Sequence, residues 1–342
     1  MRIRLQQVPR GIALIVVMIA IFVLSVLAGA FAFSMKVETK LAMNANNQTT
    51  ELWLGRSGVE RARWIIALGM SCPYSSLNQK WAGGQGDDCE TNGPLADVSV
   101  DNFQICDRTI SIKITDLERK ANINTADQTM LQQGLTMVGV DASEIPSITS
   151  CILDWIDADD IPRVGGAESE YYQALTPPYS AKNAPIDDLS ELLLVRGITE
   201  DMYWGSSSTN HVSAAFQQVD RFGRPVERPV YPVGLEDLFT SLSSGKINVN
   251  TASAEVLQLI PGIDENMAQS IVGQREQAPY HSLNEMPVPP QIMQQLQRFG
   301  TVRSSTWKVE VTVEGANRKF YAIVRSNSPR DIPILVFYWE DS

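Results

Sequence analysis

Hydrophobic positions follow three rhythms along this chain. Residues 11–35 contain no charged side chain, and as a helix this run reaches roughly 37 Å, enough to cross a bilayer core. Beyond it Leu41, Ala45, Leu52, Val59, Ala62 and Ile66 continue at steps near three and four, with Asn and Gln between them. The spacing therefore predicts a single helix over residues 12–68. Alternation with period two marks strands near residues 103–115, 307–313, 319–325 and 332–339, with Gly315-Ala316-Asn317 as a turn. The long middle, residues 116–303, has helical periodicity broken by Pro and Gly.

Within that middle, Asn122-Ile123-Asn124-Thr125-Ala126 recurs as Asn248-Val249-Asn250-Thr251-Ala252, each copy followed by an apolar helical pattern. Asn or Thr of each copy is expected to cap a helix beginning at the Ala. The second copy runs on into Leu259-Ile260-Pro261-Gly262-Ile263, with Ala268, Ile271 and Arg275 at helix-hairpin-helix spacing. Such a hairpin grips a phosphate with backbone N–H groups and nearby cations. Here Asp264 and Glu265 stand at that place, so the hairpin reads as packing geometry rather than a nucleic-acid site.

Charge changes the picture in two ways. The net charge of -11 disfavours polyanions and leaves divalent cations and basic protein faces as electrostatically sensible partners. Arg2, Arg4 and Arg10 precede the apolar run, so the short basic start stays cytoplasmic and everything after Lys36 is translocated. A cleaved signal peptide is the competing reading, with Ala28, Gly29, Ala30 and Ala32 as small residues near a cut. Cys72, Cys89, Cys106 and Cys151 form no C-x-x-C pair, which favours structural disulfides in an oxidising compartment over a zinc or redox site. Of the three connectivities, Cys72 with Cys89 is the most local. Buried free thiols are the alternative.

Six acids crowd one loop-prone stretch: Asp154, Asp157, Asp159, Asp160, Glu168 and Glu170. Unpaired, they would repel, and hard oxygen donors at this density suit calcium. The spacing is not an EF-hand loop, because Ile161 and Pro162 fall where a ligand and the glycine belong. A solvated acidic face with helix-capping aspartates is the other reading of the same residues. Catalysis finds little support: His211 and His281 lie in no metal or triad signature, and no Gly-rich phosphate loop precedes a helix.

Arg10-Gly11-Ile12-Ala13-Leu14-Ile15 resembles the processing site of type IV prepilins and type II secretion pseudopilins. The resemblance implies cleavage by a prepilin peptidase after Gly11 and a methylated N-terminus at Ile12. Where most members carry a glutamate five residues into the mature chain, this one has Val16. That glutamate is thought to pair with a neighbouring subunit's N-terminal amine. With an apolar residue there and a large body, the chain is similar to the K-type minor pseudopilins of type II secretion, thought to sit at the filament tip. Trp155-Ile156-Asp157-x-Asp159 with Gly166-Ala167-Glu168-x-x-Tyr171 resembles the calcium-binding segment of that family. The flanking Lys182-Asn183-Ala184-Pro185 and Leu189-Ser190-Glu191-Leu192 add to it. The resemblance implies Asp157, Asp159, Asp160, Glu168 and Glu170 as ligands, with Asp154 a weaker candidate.

The expected fold is α+β: a long N-terminal transmembrane helix and a pilin-like antiparallel sheet carrying a large inserted α-helical domain. Its parts are a leader at 1–11, the helix at 12–68 with its membrane half at 12–35, a first pilin-like portion at 69–121, the insertion at 122–303 and the last strands at 304–342. The implied function is a non-enzymatic minor pseudopilin that assembles with I- and J-type partners in the periplasm from a single-pass inner-membrane anchor. The implied cofactor is calcium, and no nucleic acid partner is expected. A membrane-anchored calcium-binding module, or a minor pilin of a type IV pilus, are the alternatives.

Overall fold

The computed structural model describes residues 10–87, 89–90, 95, 102–105, 107–205, 231–316 and 318–341. The chain divides into two units, Met1–Arg56 and Ser57–Ser342. Residues 1–9 of the expected leader, Cys106 and His211 lie outside the described residues.

Helix α1, Arg10–Gly69, covers the apolar run and the amphipathic stretch without a break. Among the described residues it is the one helix long and apolar enough to cross a membrane. Leu14, Val16, Ile19, Phe22 and Phe31 are exposed on it, consistent with a single-pass membrane anchor. In the second unit the same helix turns amphipathic. Val59, Ala62, Ile65 and Ile66 are buried, and Gly58 lets the backbone approach Val311 so closely that a Cβ would collide with its side chain.

Five strands form one antiparallel sheet in the order β1-β2-β7-β8-β9. They are β1 (Phe103–Ile105), β2 (Arg108–Asp116), β7 (Thr306–Val313), β8 (Arg318–Arg325) and β9 (Ile334–Asp341). β2 and β7 are neighbours, with Ile110 opposite Val313 and Asp116 opposite Trp307. The whole stretch between them therefore leaves and re-enters the sheet at one place. That stretch holds helices α2 (Gln128–Val138), α3 (Ile145–Ile156), α4 (Ser169–Gln173), α5 (Glu200–Trp204), α6 (Leu235–Leu238), α7 (Ala254–Gln258), α8 (Glu265–Gln277) and α9 (Pro290–Phe299). They share one core through residues such as Leu135, Ile152, Tyr172, Leu192, Phe239 and Ile260.

The duplicated Asn-x-Asn-Thr-Ala motif has one structural role performed twice. The first copy enters through β3 (Ala121–Asn122), parallel to β4 (Phe239–Thr240). The second enters through β5 (Ile247–Asn248), parallel to β6 (Gly300–Thr301). In the first, Asn124 donates to the Ile186 carbonyl at 2.9 Å and accepts from the Ile186 N–H at 2.7 Å. In the second, Asn250 treats Tyr280 identically, at 2.9 Å both ways. A carboxamide can satisfy both halves of a residue's backbone at once, which is why Asn stands there. The expected caps need correction. Asp127 and Ser253, just beyond each copy, accept from Met130 and Val256 N–H groups and start α2 and α7. In the hairpin, Asp264 caps α8 through Met267 N–H, while Arg275 donates to the Val249 carbonyl at 2.6 Å. Burial draws that guanidinium down to about 10.

At the junction of sheet and insertion lie two buried acids. Asp116 ends β2; its Oδ2 accepts from Thr251 Oγ1 at 2.5 Å, Ser304 Oγ at 2.6 Å and Asn248 Nδ2 at 3.2 Å. Glu118 accepts from the N–H groups of Ser244, Ser305 and Thr306 and from the Ser305 hydroxyl. Burial, and next the charge of Glu118, push Asp116 above the usual carboxylate range.

Of the four cysteines, Cys72 and Cys89 form a disulfide with Cα atoms 5.7 Å apart. Cys151 is corrected from disulfide candidate to free thiol. It faces inward on α3, fully buried, and burial raises its pKa, leaving it an inert core residue.

Candidate metal centre

The acidic stretch begins where α3 ends. Ile145, Ile148, Cys151, Ile152 and Trp155 occupy the buried face of that helix, so Asp154, next to Trp155, is carried inward too and is fully buried. An isolated carboxylate there would be costly, and the chain supplies a cation nine residues on. Arg163 Nη1 donates to Asp154 Oδ1 at 2.7 Å and also pairs with Asp157, while the Arg163 N–H reaches Asp154 Oδ2 at 3.1 Å. Gly166 seals the arrangement, because a Cβ there would fall on the Asp154 carboxylate. Asp154 is thus an internal ion-pair partner. The arginine that neutralises it was missed by sequence reasoning, although its place among the acids was a usable signal.

Asp157 terminates α3, and it gathers with Asp159 and Glu168. One carboxylate oxygen from each lies within 4.8 Å of the other two. Glu168, just before α4, is only 3% exposed. Both of its oxygens, together with Asp157 Oδ1 and Asn183 Oδ1, are buried without a hydrogen-bond partner. Burial first, then the charges of Asp154, Asp157, Asp160 and Asp159, push Glu168 up to about 7. Orphaned buried acceptors of this kind are rare in folded proteins, and here three of the four belong to Asp157 and Glu168, whose carboxylates converge with that of Asp159. That donor set fits a hard divalent cation.

The other expected ligands stand apart from this group. Asp160 accepts from the Ser169 N–H at 3.2 Å and faces Asn183 Nδ2 at 3.5 Å. The Ser169 bonds hold its carboxyl below the usual range. Glu170 is exposed in the first turn of α4. Asn183, noted in the sequence only as part of a flank, is brought to the site by the fold. It takes a left-handed conformation at φ 47° and donates to the Asp159 carbonyl at 2.8 Å. Lys182 beside it is held by Asp187 and Glu191, both at 2.7 Å. Behind the acids, Trp155 packs edge-on to Tyr172 at 5.2 Å. At the other end of the chain, Gly11 and Ile12 lie in the first turn of α1.

Comparison with known proteins bears on the same regions. Two family profiles described as type II secretion system (T2SS), protein K, match residues 111–205 and 247–312. The first spans the acidic loop and the second the hairpin. Type II secretion system protein K of Pectobacterium carotovorum subsp. carotovorum is 30% identical over 151 residues, 40% of this chain and 45% of that protein. The protein of the same name from Klebsiella pneumoniae is 28% identical over 196 residues, 57% of this chain and 60% of that protein. The Pseudomonas aeruginosa one is 24% identical over 289 residues, 80% and 75% of the respective chains. The chain therefore spans about half the length of the first of these relatives. A chain from the crystal structure of the GspK-GspI-GspJ complex of the enterotoxigenic Escherichia coli type 2 secretion system shares the fold, with a TM-score of 0.60 at 17% identity, over 88% of this chain and 99% of that one. On the two matched profiles and these relatives, the chain is similar to the type II secretion system protein K family.

Proposed function

We propose that this chain is a minor pseudopilin of a type II secretion system, a structural subunit that joins two other minor pseudopilins at the tip of a periplasmic pseudopilus. The observation that carries this reading is the pairing of α1 with a sheet interrupted between β2 and β7 by a helical insertion. The shared fold with a chain of the GspK-GspI-GspJ complex supports I- and J-type partners. On this reading α1 anchors the chain in the inner membrane, prepilin peptidase cuts after Gly11, and Ile12 becomes the methylated terminus. Val16 leaves no buried carboxylate to pair with a subunit above, so the chain caps. Intact mass of the membrane-extracted protein should give a start at Ile12 with one methyl group. Cross-linking in isolated filaments should place the chain at one end, together with two prepilin-like partners. A start at residues 30–32, or a chain spread along the shaft, would sink the reading. Failure to co-purify with such partners would leave a membrane-anchored calcium module in its place.

The acidic loop is proposed to hold calcium through Asp157, Asp159 and Glu168, with Asn183 Oδ1 as a further oxygen donor; Asp160 and Glu170, expected from the sequence as ligands, lie outside this set. Calcium would replace the missing partners of the orphaned oxygens and tie the end of α3 to the start of α4. The sign of its pH dependence follows from Glu168. Because the folded pKa is raised, to about 7 from 4.5, this group favours the metal-free fold at low pH and works against it as pH rises through 7. Calcium must displace that proton, so its affinity should fall about tenfold per pH unit below 7 for one proton released. Calcium at about 100 times its Kd should stabilise the protein by about 2.7 kcal/mol at pH 8 and by clearly less at pH 6. Thermal melts with calcium and with chelator read this directly. Asp157→Ala with Glu168→Ala should abolish the shift, and an undiminished shift in that variant would place the ion elsewhere.

A further inference from the structure

Strand β9 closes one end of the five-stranded sheet, and among the described residues only β8 pairs with it. An edge strand turns the N–H and C=O groups of every second residue outward with no protein partner. The opposite edge is only the three-residue β1, whereas β9 runs eight residues. Proteins blunt such edges with bulges, prolines and charges. Here Pro333 precedes the strand, a register shift lies opposite Ile323 and Val324, and Glu340 stands near the far end. Between these guards, Val336-Phe337-Tyr338-Trp339 is regular, uncharged and free of proline, with Val336 38% and Trp339 46% exposed.

A cleft of about 480 Å3 lies over one face of the sheet, running from β7 to the side chains of β9 at this edge. The sheet contributes Ile323, Val336 and Tyr338 to its lining, and the insertion contributes Leu189, Tyr203 and Phe239. Its charged lining is predominantly acidic, Asp187, Asp188, Glu236 and Glu340 against Lys120 and Lys308. Both lysines are engaged. Lys120 donates to the Glu236 carbonyl at 2.6 Å, and Lys308 sits over the Tyr321 ring at 5.0 Å. Among the described residues no lysine or arginine forms an ion pair with Glu236 or Glu340. The field of these acids is felt at Tyr338, whose hydroxyl is raised first by burial and next by the charges of Glu340, Asp188 and Glu310.

We propose that the β9 edge and the acid-lined cleft form a single docking site for an extended strand of another protein carrying basic side chains at alternate positions. Water can bond the outward backbone of β9 in the free chain, but among protein partners an extended strand is the one whose backbone matches its spacing residue by residue, which names the partner's conformation. The acidic lining names its side chains. Strand addition of this kind takes affinity from main-chain hydrogen bonds and specificity from pockets for alternate residues, and here the alternate residues of an added strand on the cleft face would continue the row of Val336, Tyr338 and Glu340 that lines the cleft. The site is independent of the acidic loop and of the pseudopilus reading, so either can fail without the other.

The test uses the full-length protein in detergent micelles and two synthetic peptides, one alternating Lys and Val, the other alternating Glu and Val. Amide hydrogen exchange is followed residue by residue. With the Lys peptide at millimolar concentration, alternate amides between Val336 and Glu340 should slow tenfold or more, and the effect should fade as salt is raised. The Glu peptide should leave them unchanged. Glu236→Lys with Glu340→Lys should reverse the preference. No slowing in β9 with the Lys peptide, protection confined to other segments, or equal slowing by both peptides would overturn the proposal, the last because an edge that is merely adhesive does not discriminate charge.

Discussion

Glu118→Ala is expected to lower the stability of the second unit by about 4 kcal/mol, the order found when one member of a buried charged network is removed, and its melting temperature by about 10 °C. The size follows from what the carboxylate leaves behind. Three backbone N–H groups, of Ser244, Ser305 and Thr306, and the Ser305 hydroxyl would lose their acceptor in a place where Glu118 itself is fully buried. Each unsatisfied donor costs about 1–3 kcal/mol, with partial relaxation through the hydroxyl. Glu118→Gln should recover little, because its NH2 group would face donors. Asp116→Asn should behave differently. It removes a charge that burial and Glu118 already disfavour, and the Thr251 and Ser304 hydroxyls can turn to accept. The folded pKa of Asp116 lies above its unfolded value, so this group makes the protein less stable as pH rises from the ordinary carboxylate range through that raised value. Asp116→Asn should flatten that part of the stability-pH curve. Thermal melts between pH 5 and 8 check both. A Glu118→Ala protein within 2 °C of wild type would mean that the junction does not hold sheet and insertion together.

Opening the Cys72–Cys89 disulfide is the second large effect. The bridge spans 17 residues, and closing a loop of that length removes about 3 kcal/mol of unfolded-chain entropy. The loop is also wired into the same junction. Ser75 N–H donates to the Val302 carbonyl, the Ser75 carbonyl accepts from Asn248 Nδ2, and the Ser75 hydroxyl accepts from the Ser304 N–H. Tyr74 stacks on His281 with ring centroids 4.5 Å apart. Replacing Cys72 and Cys89 together by Ala should lower the melting temperature by about 8 °C. A thiol reductant should reproduce that shift on the wild-type protein and have no further effect on the variant. Cys151 does not confound the comparison, being buried and unpaired. Equal melting temperatures in all four conditions would show that the loop's own contacts suffice.

How much of this was legible beforehand depends on how far apart the deciding residues lie. The long helix was readable because an uncharged run and a step of three to four are local properties, and among the described residues α1 covers the whole expected span and ends one residue beyond it, at Gly69. The four C-terminal and early strands were readable from alternation for the same reason. The membership of Asp157, Asp159 and Glu168 in one cluster was half readable. Their density signals oxygen chemistry, but only the turn after α3 decides that these three converge while Glu170 points to solvent. Arg163 as the counter-ion of Asp154, and Asn183 as the residue closing the loop, were not readable, because they depend on chain reversals that charge spacing does not encode.

The repeated Asn-x-Asn-Thr-Ala motif divides the two kinds of information most cleanly. The sequence alone determines that something happens twice, since the five positions recur and each is followed by an apolar helical pattern. What happens is decided by tertiary structure: Asn124 and Asn250 bind residues 62 and 30 positions away, and the helix caps pass to Asp127 and Ser253. The same holds for the buried acids, whose charge is visible in the sequence and whose burial is not. Local propensity and periodicity act over a few residues and write themselves into composition. Satisfying a buried polar group requires a partner from elsewhere in the chain, so only the folded arrangement decides which donors and acceptors meet.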